Sequence, residues 1–157
     1  MISKILIAIE DAQWMDVTED FIEHLQPAKS VQFKVLHVAE PDEASAAAPS
    51  EECRQQAAAL VESTCKRLIK RFPQLQVEGC IKEGSAKEAI VKEASSWCSD
   101  LIVMGPYGKL GADILLLGSV AQSVLPNSPC SVILLRAQKT GHSAPSTPAL
   151  AQPRAGN

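Results

Sequence analysis

The chain is short of positive charge. Its 15 lysines and arginines are outnumbered by 18 acids, and the last 21 residues hold two of the cations and none of the acids. The body is therefore more acidic than the net charge of −3 implies. Affinity for a phosphate backbone needs a basic face, so broad binding to DNA or RNA is not expected. Long apolar runs are absent as well. Nothing approaches the roughly 20 residues that a helix needs to span a bilayer, and no membrane attachment is expected. The five cysteines, at 53, 65, 80, 98 and 130, form no CxxC and no Cys/His cluster at zinc spacing. Reduced, mostly buried thiols fit that pattern and point to a reducing cytoplasm. Met1-Ile2-Ser3-Lys4 runs straight into a strand-like segment, with no sign of a secretory leader.

What is present is a regular alternation of apolar runs and helical periodicity. Ile5 to Ile9 is apolar and β-branched without polar interruption, the pattern of a strand covered on both faces in a parallel sheet. It ends at Glu10-Asp11. In an open α/β sheet the C-terminal edge of the strands is where ligands bind, and a carboxylate there can accept hydrogen bonds from ribose hydroxyls or simply solvate a loop. Asp16 and Glu19 suggest a helix start, with Val17, Phe21 and Leu25 on its buried face and Pro27 as its stop. His24 reads as a surface residue.

Val31 to Val38 is a second strand. His37 near its end is a structural residue on this reading, since no nucleophile motif accompanies it. Ala39 to Pro49 is a loop, either a lid over the ligand edge or a plain connection. Ser50 then caps a helix with Glu51 and Glu52 in its first turn and a stripe of Ala57, Val61, Cys65, Leu68 and Phe72. Its basic residues Lys66, Arg67, Lys70 and Arg71 suggest a solvated face. Leu75 to Lys82 alternates as a more exposed strand. Ser85 and Glu88 have the spacing of a capping box opening a helix that buries Ala86, Ile90, Ala94 and Trp97. Asp100 to Met104 and Ser131 to Leu135 are further strands, separated by a helix from Gly118 that turns Val120 and Val124 inward and stops at Pro126 to Pro129. Helical crossovers between strands imply a parallel, doubly wound α/β sheet. Residues 1–136 make one domain. The tail 137–157, rich in Pro, Ala and Ser, is expected to be disordered.

The stretch with chemical content is Met104 to Ser119, MGPYGKLGADILLLGS. Glycines let a backbone come close to phosphate, and a helix starting at Gly118 would aim free amides and its positive dipole end at it, with the Ser119 hydroxyl as a further donor. Sharp turns need glycine too, so the stretch reads either as a phosphate cradle or as a plain turn. It lacks the Gly-Lys-Ser/Thr of a Walker loop and the tight G-x-G-x-x-G of a dinucleotide fold.

Taken with its surroundings, the stretch resembles the ATP-binding members of the universal stress protein family. Gly105, Gly108, Gly118 and Ser119 reproduce that subgroup's G-x2-G-x9-G-[ST]. ILIAI followed by an acid, VLHV, DLIVMG and LLLGSVAQSVL with SVILLR beyond it stand in the same order, so the resemblance covers Lys4 to Arg136. It implies an open, Rossmann-like five-stranded sheet of order 3-2-1-4-5, of the kind called adenine-nucleotide alpha-hydrolase-like. An adenine nucleotide, ATP with or without Mg2+, would lie across its C-terminal edge. By that resemblance the backbone of Val38 meets the adenine, and Glu10, with Ala8 and Ile9 before it in the binding set, stands where the family usually has an aspartate that contacts the ribose or adenine end. Gly105, Gly108, Gly118, Ser119 and Val120 fall on the phosphate-binding positions, with Tyr107 and Lys109 in the loop beside them and Met104 also in the binding set.

Three departures bear on affinity. Glu10 is longer than aspartate, Pro106 lacks an N–H, and Asp11-Ala12 replaces the usual Gly-Ser. The resemblance implies a nucleotide-dependent regulatory or stress-response protein, homodimeric through Ser131 to Arg136 and read by a protein partner. Two alternatives stay open. One is a slow ATP hydrolase, for which Asp113 is the acid nearest the phosphates. The other is a nucleotide-free dimeric interaction module.

Overall fold

The computed structural model describes residues 1–41, 48–105 and 117–136. Five strands and four helices alternate: β1 (Lys4–Ala8), α1 (Met15–Leu25), β2 (Gln32–Ala39), α2 (Glu51–Arg71), β3 (Gln76–Glu83), α3 (Ala86–Trp97), β4 (Leu101–Met104), α4 (Ser119–Asn127) and β5 (Ser131–Leu134). The strands form one sheet of order β3-β2-β1-β4-β5, and every pairing is parallel. This is the architecture expected from the helical crossovers. Of the loop expected from Ala39 to Pro49, as a lid or a plain connection, residues 42–47 fall outside the described residues, as do the 106–116 segment and the tail, while Ala39 closes β2.

The central strands explain the arrangement. All four residues of β4 are buried, and Ile5, Leu6 and Ile7 of β1 are closed to solvent. Alternate side chains therefore need cover on opposite faces. Ile5, Ile7, Phe33, Val35, Leu101 and Val103 pack with Met15 and Ile22 of α1 and Leu68 of α2. Leu6, Leu36, Ile102 and Met104 pack with Ile90 and Ala94 of α3 and Ala121 and Val124 of α4. Each fully buried side chain of this size contributes about 1.5–3 kcal/mol through removal from water. Strand β3, at one edge, is exposed apart from its half-buried Val77 and Cys80.

Several local expectations are corrected. The buried stripe of α1 is Met15, Thr18, Glu19 and Ile22, whereas Val17, Phe21 and Leu25 flank it half-buried. The helix is rotated relative to its apolar periodicity because Glu19 is drawn inward by two guanidinium groups from α2. Arg67 Nε donates to Glu19 Oε1 at 2.5 Å and Arg71 Nη1 to Glu19 Oε2 at 2.7 Å. Arg67 also reaches Asp16, and Arg71 reaches Glu23 at 2.5 Å. Arg67 and Arg71 are thus an interhelical clamp and not merely a solvated face.

The Ser85–Glu88 capping box does not form. The Ser85 side chain caps nothing, and the Ala86 amide donates instead to Glu40 Oε1 at 2.8 Å, tying the end of β2 to the start of α3. In α4 the buried pair is Ala121 and Val124 rather than Val120 and Val124, and Pro126 lies inside the last turn. By contrast Ser50 caps α2 as expected, its Oγ accepting from Cys53 N at 3.2 Å.

Two polar knots tie the strands, the first at the opposite, N-terminal edge of the sheet. Asp100 accepts from Ser3 N and Oγ and from Lys4 N at 2.8–2.9 Å, bonds that hold its carboxyl below the usual range. Buried Glu93 pairs with Lys34 at 2.9 Å and Lys82 at 3.1 Å. Trp97 lies beneath the ammonium groups of Lys4 and Lys34. The five cysteines are free, and burial pushes the Cys65, Cys80 and Cys130 thiols up, away from the reactive thiolate.

Candidate functional site

Strand order reverses between β1 and β4: the chain pairs outward from β1 to β2 and β3 on one side and to β4 and β5 on the other. Such a switch point opens a crevice beyond the C-terminal ends of the strands. Ala8 and Met104, the last residues of β1 and β4, are register partners there. The backbone continues the ladder one step further, with Ile9 N donating to Leu36 O and Leu135 N to Met104 O, both at 2.9 Å. His37 Nδ1 donates to Ile9 O at 2.9 Å. A carbonyl can only accept, so this contact sets the tautomer and makes His37 a strut of the edge, the structural role expected for it.

The described site residues gather along this edge. Ala8, Ile9 and Glu10 leave β1, Val38 lies near the end of β2, and Met104 and Gly105 leave β4. Gly118, Ser119 and Val120 open α4. Ile9 and Met104 are buried, Glu10, Val38, Gly105, Gly118 and Val120 are half-buried, and Ser119 is exposed. Tyr107, Gly108, Lys109 and Asp113 lie outside the described residues.

The helix starts at this edge differ in how their first-turn amides are satisfied. Ser50 serves α2 and Glu40 serves α3. Asp11, rather than merely solvating a loop, accepts from Gln13 N at 2.9 Å and caps the short 3-10 turn Ala12–Trp14 that leads into α1. At α4, Gly118 is the N-cap with φ −63° and ψ 157°, a glycine has no side chain with which to cap the helix, and the first turn holds no acid. No side chain among the described residues accepts from its first-turn amides, and the positive end of the helix dipole lies with them, an arrangement that favours an anion. Gly118 takes an ordinary negative φ, so bareness rather than backbone freedom is what glycine supplies.

Gly105 has a different neighbour. A Cβ built on it would meet Cε2, Nε1 and Cδ2 of Trp14 at 3.1, 3.2 and 3.3 Å. The indole thus lies against the first glycine of the motif and is part of the reason why glycine stands there. Trp14 was not legible as a site residue, because nothing in its sequence neighbourhood marks a contact spanning ninety residues. Among the described residues no group of three or more His, Cys, Asp or Glu is placed to hold a metal ion. A shallow crevice of about 290 Å³ lined by Ile22, Glu23, Gln26, Pro27, Phe72 and Gln74 lies at the far end of α1, away from this edge. No described helix is long and apolar enough to cross a membrane.

Comparison with known proteins bears on this edge. The sequence pattern of the universal stress protein family matches residues 1–136. Universal stress protein A homolog 2 of Coxiella burnetii is 36% identical over 80 residues, covering 49% of this chain and 54% of that protein. The chain therefore spans about half the length of that curated relative. Among solved structures, universal stress protein UspA from Lactobacillus plantarum superposes with a TM-score of 0.71 at 21% identity, covering 86% of this chain and 98% of that one. The universal stress protein from Archaeoglobus fulgidus in complex with dAMP superposes with a TM-score of 0.66 at 18% identity, covering 87% and 100%.

Proposed function

Since the chain belongs to the universal stress protein family, we propose that it binds ATP or a related adenine nucleotide, with or without Mg2+, between the ends of β1 and β4. Occupancy would set the state of a regulatory homodimer that a protein partner reads in a stress response. The observation that carries this reading is the start of α4, where Gly118 opens a helix that no side chain among the described residues caps, beside the switch point. The dAMP bound by the Archaeoglobus fulgidus protein supports an adenine ligand on this fold.

Within the site, Ala8, Ile9 and Val38 frame the base and Glu10 faces the ribose hydroxyls. Gly105, Gly118, Ser119 and Val120 take the phosphates at the positive end of α4, beside Met104. Tyr107, Gly108 and Lys109 complete the set on the sequence pattern. Dimerisation would use β5, from Ser131 to Arg136, whose Val132, Ile133 and Leu134 stay half-buried at the edge of the sheet. Hydrolysis requires a group that orients water. Asp113 is its candidate, and turnover is expected to be weak or absent.

The decisive measurement is calorimetric titration with ATP and Mg2+ of the parent and of Gly118→Val, with light scattering for the oligomeric state. Micromolar binding lost in the variant supports the reading. No heat and no thermal stabilisation at millimolar nucleotide, where any bound ligand must shift unfolding, refutes it. The nucleotide-free module is the second reading, favoured by the indole already lying on Gly105.

A further inference from the structure

The room that a missing side chain leaves at Gly105 is claimed twice. On the proposed reading it admits a phosphate, yet ring atoms of Trp14 stand 3.1–3.3 Å from where a Cβ would sit. A Cβ there would be closer to the ring than ordinary packing allows, so the indole already fills the side-chain position of residue 105 and a third group cannot share it. The backbone carrying the ring is fixed. Trp14 sits at φ −88° and ψ 0° between the 3-10 turn and α1, its carbonyl accepts from Thr18 Oγ1 at 2.8 Å, and the preceding turn is tied by the Asp11 bonds to Gln13. The side chain is held less firmly. It is only half-buried, and no acceptor among the described residues engages its Nε1–H. A fixed backbone and a ring that donates to no described residue describe a side chain that can swing on χ1 and χ2 without disturbing α1.

We propose that Trp14 gates the phosphate end of the site: the indole rests on Gly105, and a phosphorylated ligand reaching that backbone must move it aside. The inference rests on the reading of this edge as an adenine-nucleotide site. Its consequence is selective. The apparent affinity of a ligand that needs the ring displaced is reduced by the fraction of molecules in which it is displaced. A nucleoside, which ends at the ribose and never reaches Gly105, escapes that reduction. Trp14 therefore sets how much the phosphate adds to binding.

The test uses the full chain in a Trp97→Phe background, so that Trp14 is the only indole. Trp97 sits at the opposite edge of the sheet beneath Lys4 and Lys34, and phenylalanine keeps an aromatic face for those cations. Adenosine and AMP are titrated against this protein, Trp14→Ala and Trp14→Phe, with binding read by calorimetry and Trp14 emission recorded in parallel. AMP should change the emission while adenosine leaves it unchanged. Trp14→Ala should bind AMP about threefold to tenfold tighter than the parent, with Trp14→Phe in between and adenosine affinity unaltered. AMP affinity that is unchanged or weakened in both variants overturns the gate and makes the indole a bystander or a wall of the pocket. Should Trp14→Ala lose its fold by circular dichroism, Trp14→Phe and the emission change decide alone. If neither adenosine, AMP nor ATP binds any of the proteins at millimolar concentration, the nucleotide reading fails first and the gate falls with it. That outcome differs from binding with an unchanged AMP-to-adenosine ratio, which removes only the gate.

Discussion

Replacing Glu19 by alanine removes the anion at the centre of the contact between α1 and α2. Its carboxylate is 3% exposed and accepts three hydrogen bonds from Arg67 and Arg71, at 2.5, 3.1 and 2.7 Å. Breaking a fully buried ion pair from one side costs about 3–5 kcal/mol, because the surviving charge is stranded. Here the survivors are not stranded. Their side chains are 45% and 40% exposed, and Asp16, Asp20 and Glu23 remain as partners. The loss should therefore fall below that range, at about 2 kcal/mol for Glu19→Ala, and near 1 kcal/mol for Glu19→Gln, which keeps one acceptor.

For a domain of this size such a change lowers the midpoint by about 3–5 °C per kcal/mol. Urea unfolding followed by circular dichroism reads it without adding salt. A cycle with Arg67→Met should show coupling that survives 0.5 M sodium chloride, where an exposed pair would be screened at a Debye length of about 4 Å. If Glu19→Ala lies within about 0.5 kcal/mol of the parent, or if the coupling vanishes with salt, the clamp is a surface pair and the argument for the rotated α1 fails.

Glu93 carries a pH dependence. Burial works to raise its pKa, but hydrogen bonds from Lys34 and Lys82 outweigh burial and hold the carboxyl below its ordinary value. Its stabilising share is therefore complete above the unfolded value near pH 4.5 and is lost as pH falls through the lower, folded value. Glu93→Gln should flatten the acid limb of a stability-against-pH curve, and an unchanged limb counts against the pairing. Glu40→Ala should cost about 0.5–2 kcal/mol by leaving the start of α3 uncapped, seen as faster amide exchange at Ala86; restored stability in Ser85→Asp would support a capping origin. At Gly79 an added Cβ would stand 2.5 Å from Val61 Cγ1, so Gly79→Ala should destabilise by about 1–3 kcal/mol through overpacking. A neutral or stabilising result would show that α2 can retreat from β3.

Elements set by local pattern were legible in the sequence. The strands stand close to where their apolar runs lie, and Ser50 caps α2 as its spacing suggests. The described site residues lie along one edge because strand ends and helix starts share it in any parallel sheet. What escaped was every contact between distant segments. Glu40 reaches across 46 residues to outcompete the local Ser85–Glu88 box. Arg67 and Arg71 find Glu19 across 48 and 52 residues and turn α1 away from its apolar stripe. Trp14 meets Gly105 only once β1 and β4 are paired. Periodicity carries no record of such pairings, since each depends on two surfaces brought together by the fold.

The two margins of the sheet have opposite characters, and this bears on how copies of the chain associate. Along β3 the exposed residues include Glu78, Lys82 and Glu83, charges that oppose strand addition from a neighbour. Along β5 stand valine, isoleucine and leucine. A ribbon sticky on both sides can add copies without limit and grow into a fibre. One with a single adhesive side can close once, around a two-fold axis, and then has nothing left to offer. On the proposed β5 dimer, the guarded β3 margin would act as a chain terminator for assembly. Removing its charges would be the change most apt to convert such a dimer into a filament.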